Sequence, residues 1–193
     1  MPFSSDFGIA DTSLRSCIHF STSPSSSRSA ALRTTARLQY NFLDADTGFF
    51  YTGSSLGKKK IFALGGGLDV QKDYKSYAID AYVDHPLGPG AISGQVAWTR
   101  LDGGDFIKTL LEQDVIFGEV GYYLPKAKVM PYLSVSSKDI ASTDTGDETR
   151  WSVGLGYMAF GHNFNIKAAY GRVDPKVGKS ADQFTIQMQA FYF

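Results

Sequence analysis

Charged and amide side chains recur at every second position of several otherwise apolar segments. Arg37 and Gln39, for example, alternate with Leu38 and Tyr40. Such alternation puts the polar side chains together on one face of a β-strand. Polar residues along the wall of a water-filled passage act on the charge of any solute inside it. Seven residues are our candidates for such a lining: Arg37, Gln39, Asp80, Asp84, Glu119, Arg150 and Lys167.

The charges among these candidates have two interpretations. The basic residues Arg37, Arg150 and Lys167 would attract anions if they dominated the local field. Alternatively, they are ordinary solvated wall charges that acidic residues such as Asp80 and Glu119 offset. The sequence leaves both interpretations open.

Other chemistries lack the residues they need. No Ser, His and acid trio shares one strand face, so we expect no enzyme and no catalytic residues. The three histidines are far apart in sequence and there is a single cysteine, so we expect no metal site and no cofactor. The formal net charge is zero, which gives no reason to expect nucleic acid as a partner.

The composition indicates a sheet with two different faces. The chain contains 11 Tyr, 14 Phe and 20 Gly, yet its mean hydropathy is only −0.15. No stretch approaches the roughly 18 apolar residues of a membrane-spanning helix. Aromatic residues, glycines and alternating polarity suit both a transmembrane barrel and a soluble sandwich.

The spacing of the alternating segments favours the membrane barrel. From Arg33 onward there are about nine such segments, mostly near the ~10 residues with which a tilted strand crosses a bilayer. The connections between them alternate in length, as do the short and long connections of outer-membrane barrels. We therefore predict an all-β fold, an antiparallel transmembrane β-barrel, over residues 33–193.

The N-terminal part differs from this pattern. Residues 21–29 are low in complexity and rich in serine, which is typical of disorder. We predict that residues 1–32 are disordered or are not native barrel sequence.

Several segments resemble the phosphate-selective porin O and P family of outer-membrane channels. They are RLQYNFLD at 37–44, LGKKKIFALG at 56–65, GYYLP at 121–125, VMPY at 129–132, GLGY at 154–157, GHN at 161–163, RVDP at 172–175 and DQFTIQ at 182–187. The resemblance implies the C-terminal portion of a barrel of about sixteen strands, a possible homotrimer, in the bacterial outer membrane. A similarity to outer-membrane proteins in general makes the terminal Phe193 a signal for the barrel-assembly machinery.

The resulting expectation is a porin. Its water-filled channel would pass small hydrophilic solutes, or anions such as phosphate, by passive diffusion, and its other partners would be outer-membrane lipid and the assembly machinery. The alternative is a barrel that does not conduct and serves as a structural scaffold or sheath for a partner.

Overall fold

The chain folds into one antiparallel sheet. A computed structural model describes residues 14–22, 32–44 and 54–191, and in it each strand pairs with its neighbours in sequence. The ten strands are β1 (Leu14–Thr22), β2 (Leu32–Asn41), β3 (Ile61–Gln71), β4 (Tyr74–Leu87), β5 (Gly90–Asp102), β6 (Gln113–Tyr123), β7 (Val129–Ile140), β8 (Glu148–Tyr157), β9 (Phe164–Pro175) and β10 (Ala181–Ala190). The predicted all-β fold is confirmed, and the nine strands predicted from Arg33 onward are β2–β10. Within the described residues, no helix is long and apolar enough to span a membrane.

Strand β1 lies inside the segment that was predicted to be disordered. It pairs with β2 along its whole length, from Leu14 opposite Tyr40 to Thr22 opposite Leu32. Its sequence, LRSCIHFST, alternates apolar and polar residues like the other strands. The serine-rich residues that follow it hide this alternation, which is why the sequence pattern did not reveal the strand.

The connections divide between two ends of the sheet. The loop end carries connections 72–73, 103–112, 141–147 and 176–180, and the turn end carries 42–60, 88–89, 124–128 and 158–163. The predicted contrast in length between the two ends is therefore weak. Strands β7 and β9 continue to Ile140 and Pro175. Their length leaves connections 141–147 and 176–180 short. At the two-residue connection 88–89, Gly88 has a φ of 58°, as the first central position of a type II′ turn requires.

The register separates the residues of β2–β10 into two faces. Because side chains alternate along every strand, aligned strands bring apolar residues together on one face and polar residues on the other. The apolar face includes Leu38, Leu64, Ile79, Val96, Ile116, Leu133, Val153, Ile166 and Ile186. The polar face includes Gln39, Asp69, Asp80, Gln95, Glu119, Ser134, Arg150, Lys167 and Gln187.

The pattern of burial is the reverse of that in a water-soluble protein. On the apolar face, Ile79 is 60 % exposed, Leu133 52 % and Ile186 66 %. Among the described residues, the buried hydrophobic side chains are Ile61, Ala63, Ala91 and Met158, while the buried polar ones are Asn41, Ser54, Gln71, Asp84, Ser93, Asp147 and Asn165. Among the described residues, the sheet therefore has no apolar core beneath its apolar face.

Both edges of the sheet are open. Within the described residues, β1 pairs with β2 alone and β10 with β9 alone. Leu14 lies opposite Tyr40 and Ala190 opposite Phe164, so the start of β1 and the end of β10 both lie at the turn end. Two antiparallel edges thus remain available for further strand pairing.

Candidate functional site

The seven candidate lining residues all lie on the polar face. Successive registers connect Gln39, Asp80 and Arg150 in one row across the sheet, through Gly65, Ala97, Phe117 and Ser136. Arg37, Asp84, Glu119 and Lys167 share their face at other heights. The predicted assembly signal, Phe193, lies outside the described residues.

Arg37 and Asp80 form a bidentate ion pair across the sheet. Arg37 Nη1 donates to Asp80 Oδ1 at 2.7 Å, and Nη2 donates to Oδ2 at 2.8 Å. The pair joins β2 to β4 over Gly65 of β3, where a Cβ would lie only 2.6 Å from Arg37 Nη2. The absence of a side chain at Gly65 therefore creates the space for the pair, which offsets the charge of Arg37.

Arg150 also has an acidic partner. Its Nη2 lies 2.6 Å from Glu148 Oε1, and Lys138 Nζ lies 3.3 Å from the same oxygen. At the loop end, Arg33 Nε donates to Asp69 Oδ1 at 2.8 Å. Most basic residues on this face are thus held in ion pairs.

The polar face of β2–β10 carries equal numbers of basic and acidic residues. The basic residues are Arg33, Arg37, Lys138, Arg150 and Lys167, and the acidic residues are Asp69, Asp80, Asp84, Glu119 and Glu148. In the part of the chain that the structure describes, Asp84, Glu119 and Lys167 have no ion-pair partner. The face is therefore hydrophilic but formally neutral.

A groove lined mainly by hydroxyl and amide groups lies between β6 and β10. Its volume is about 340 Å³, and its lining includes Glu119, Arg150 and Gln183. The hydroxyl oxygens of Ser134 and Ser152 are 2.7 Å apart at its floor. Such a wall replaces hydrogen bonds to water, and Glu119 and Arg150 add one charge of each sign.

One tyrosine of this groove lies directly over a glycine. A Cβ added to Gly154 would lie 2.3 Å from Cζ of Tyr132 and 2.5 Å from its hydroxyl oxygen. The Tyr132 ring therefore packs against the backbone of β8, in the space that a side chain at position 154 would fill.

On the apolar face, the charged residues of β3–β10 are confined to the loop end. They are Lys75, Arg100, Asp102, Asp114, Asp139, Arg172, Asp174 and Asp182. Between these residues and the turn end, the apolar face has a band without charged residues. The part of this band nearest the loop end contains Tyr77, Trp98, Trp151 and Tyr170. In β4 this band runs from Tyr77 to Val83, which corresponds to about 20 Å along the strand.

The loop end is tied together by a further ion-pair cluster. Lys176 Nζ contacts Asp144 and lies 3.4 Å from Oδ2 of the buried Asp147. The hydrogen bond to Asp144 raises the pKa of Lys176 above its ordinary value. Asp147 Oδ1 also accepts a hydrogen bond of 2.7 Å from the amide of Ile140. Connections 141–147 and 176–180 are thus fixed to each other and to β7.

Residues 54–60, which we call the inward segment, cross the polar face at the turn end. The Ser54 carbonyl oxygen lies 2.7 Å from His162 Nε2 in connection 158–163. A Cβ on Gly57 would lie 3.0 Å from Cβ of Ala91, at the start of β5. The segment thus reaches from β3 to the β8–β9 connection.

This span indicates that the polar face is concave. Strands β3 and β8 are five spacings apart, about 24 Å in a flat sheet. The seven residue-to-residue steps from Ser54 to Ile61 span at most about 25 Å when fully extended. The segment is not extended, since Lys58 N donates to Ser55 O and Leu56 has a φ of 56°. The sheet must therefore curve toward the inward segment.

Sequence reasoning missed the inward segment and the role of Asp84. The alternation of polar and apolar residues put Asp84 among the side chains that line a water-filled passage. Asp84 is instead fully buried, with Oδ2 accepting hydrogen bonds from the amide of Ser55 and, at 3.2 Å, from Tyr82 Oη. No local signal reveals the contact with Ser55, because Ser55 and Asp84 are 29 residues apart in sequence.

Comparison with known proteins gives no relative. No protein-family model, curated protein or solved structure matches the chain. The resemblance to phosphate-selective porins stays a prediction.

We predict that Gly154→Ala displaces the Tyr132 ring and destabilises the sheet by about 1–3 kcal/mol, the usual cost of overpacking. Gly118→Ala is the matched control, because its Cβ would meet no atom closer than 4.0 Å. Denaturant unfolding in detergent micelles measures both variants. Equal stability of the two would contradict the proposed packing of Tyr132.

Proposed function

We propose that this sheet is the wall of an outer-membrane β-barrel through which small hydrophilic solutes diffuse passively. The observation that carries the proposal is the exposed, charge-free band of the apolar face. Nine strands at about 4.8 Å spacing and a band about 20 Å tall give an area on the order of 900 Å². Exposed patches on soluble monomers are rarely larger than a few hundred Å².

Lipid is the occupant that fits this face best. The band resembles the outward apolar surface, about 25 Å tall and bordered by aromatic residues, of transmembrane barrels. Charged residues begin only beyond Tyr77, Trp98, Trp151 and Tyr170, where headgroups and water would meet them. A partner protein would have to cover the whole band of nine strands.

The proposed lipid environment also requires that the sheet close into a barrel. An unpaired strand edge in hydrocarbon costs several kcal/mol for each unsatisfied backbone group. Because β1 begins and β10 ends at the turn end, the two edges have the antiparallel orientation that closure requires. We propose that β1 and β10 pair with each other.

The lumen would be narrow and nearly neutral. An eight-stranded barrel is just filled by its own side chains, so ten strands leave room for small solutes only. Since Arg37 and Arg150 have acidic partners, their positive charge is offset. This neutrality supports weak charge preference rather than selective uptake of phosphate.

A matched pair of substitutions tests the membrane environment. Val96 is 51 % exposed on the apolar face, and its neighbour Gln95 lies on the polar face opposite Glu119. We predict that Val96→Arg destabilises the sheet in phospholipid vesicles by about 2–4 kcal/mol, as a charge in the bilayer midplane does. Gln95→Arg should cost little because its side chain meets water and a carboxylate. In a water-soluble sheet both variants would be tolerated.

Closure is testable through the single cysteine of the chain. Cys17 lies in β1 opposite Arg37, and a disulfide requires Cα atoms within about 7 Å. We predict that one of Gln183→Cys, Thr185→Cys and Gln187→Cys oxidises to an intramolecular disulfide with Cys17, whereas the mid-sheet control Thr99→Cys does not. Disulfide-linked dimers would instead indicate pairing between two copies, and no disulfide at any position would refute closure.

Conduction and its selectivity are tested in planar bilayers. We expect discrete conductance steps with a reversal potential close to zero under a salt gradient. Asp80→Asn should shift that potential toward anion preference, because it removes the partner of Arg37. Asp114→Asn, on the apolar face, removes the same charge outside the lumen and should have a smaller effect. A silent but fully inserted sheet would refute the channel and favour the scaffold alternative.

A further inference from the structure

The inward segment lies where the protein is most tightly packed. Buried residues from five strands and from connection 158–163 cluster at the turn end with the segment. They are Asn41, Ile61, Ala63, Asp84, Ala91, Ser93, Met158 and Asn165. Elsewhere on the polar face most side chains are half-buried or exposed, with Gln71 at the loop end an exception, so the segment separates a tightly packed turn end from a more open upper face.

A buried carboxylate binds the second residue of the segment, Ser55. Asp84 has no exposed surface, and its Oδ2 accepts the amide hydrogen of Ser55. Burial of a carboxylate is costly unless hydrogen bonds compensate it, and among the described residues its Oδ1 has no hydrogen-bond partner. The amide of Ser55 and the hydroxyl of Tyr82 therefore supply the compensation, which ties the segment to β4.

A second contact holds the start of the segment on the opposite side of the concave face. His162 Nε2 and the Ser54 carbonyl oxygen are 2.7 Å apart, and Leu56 Cδ1 lies beside Gly161, 3.5 Å from the position that a Cβ would take there. Within the segment, Lys59 N donates to Ser55 Oγ at 3.1 Å. The segment is thus bound to β4 and to connection 158–163, and a hydrogen bond within the segment stabilises its conformation.

We propose that residues 54–60 form a constriction that sets the largest solute able to pass, with Asp84 and His162 as its anchors. This inference rests on the proposed channel function and deepens it. A chain segment that crosses a concave polar wall occupies the cross-section that solutes would use. Specificity would then be mainly by size, because the wall of β2–β10 is formally neutral, with Lys58, Lys59 and Lys60 adding positive charge at the constriction itself.

The test compares the channel with and without its anchors. The full chain is reconstituted in liposomes, and swelling rates are measured with glucose, sucrose and raffinose. The double variant Asp84→Ala/His162→Ala should admit raffinose severalfold faster than the wild type, with a smaller change for glucose. The control Asp139→Ala/His85→Ala alters the same residue types on the apolar face and should keep the wild-type size limit. Asp84→Asn, which retains an acceptor for Ser55, serves as a milder variant if the double variant folds poorly.

Trypsin cleavage at Lys58–Lys60 gives a measurement that does not depend on conduction. The double variant Asp84→Ala/His162→Ala, which removes the anchors, should be cleaved severalfold faster than the wild type. The control Asp139→Ala/His85→Ala should be cleaved at the wild-type rate. Faster cleavage with an unchanged size limit in a conducting channel would overturn the constriction. If the double variant Asp84→Ala/His162→Ala conducts and the wild type does not, the segment closes the passage completely, which would support the proposal. Silence of every variant, despite faster cleavage, would overturn the channel itself.

Discussion

The structure depends on one constraint, which is that the apolar face of the sheet must be kept away from water. Covering about 900 Å² of apolar surface is worth about 20 kcal/mol at the usual coefficient. That exceeds the roughly 5–15 kcal/mol of net stability typical of a folded domain. An environment that covers this face is therefore a condition of folding, because no second sheet or helix among the described residues packs against Ile79, Val96 or Leu133.

The same environment imposes the pairing of every backbone group. In hydrocarbon, the open edges of β1 and β10 would cost more than any side-chain contact in the sheet provides. In the proposed barrel, closure would fix the width of the lumen, and the width would limit the function. A barrel of ten strands would leave little free space, so the inward segment would have a larger effect there than in a barrel of sixteen strands.

Sequence patterns predicted those features that arise from local periodicity. Alternation located β2–β10 and put Arg37, Asp80 and Lys167 on one face, because period two determines the face once strands pair in register. It did not predict the Arg37–Asp80 pair, which depends on the missing side chain of Gly65, or the contact between Ser54 and His162, which are 108 residues apart. Strand β1 was missed for a local reason, since low-complexity sequence follows it.

Asp84 shows how the two faces determine the function together. A carboxylate at the same height on the apolar face would be expelled by the bilayer, whereas on the polar face it is shielded by a segment of its own chain. The span of this segment requires the sheet to be concave toward its polar side. The proposed constriction therefore lies on the face that alternation makes polar, and its effect on solutes would combine its size with the positive charge of Lys58, Lys59 and Lys60.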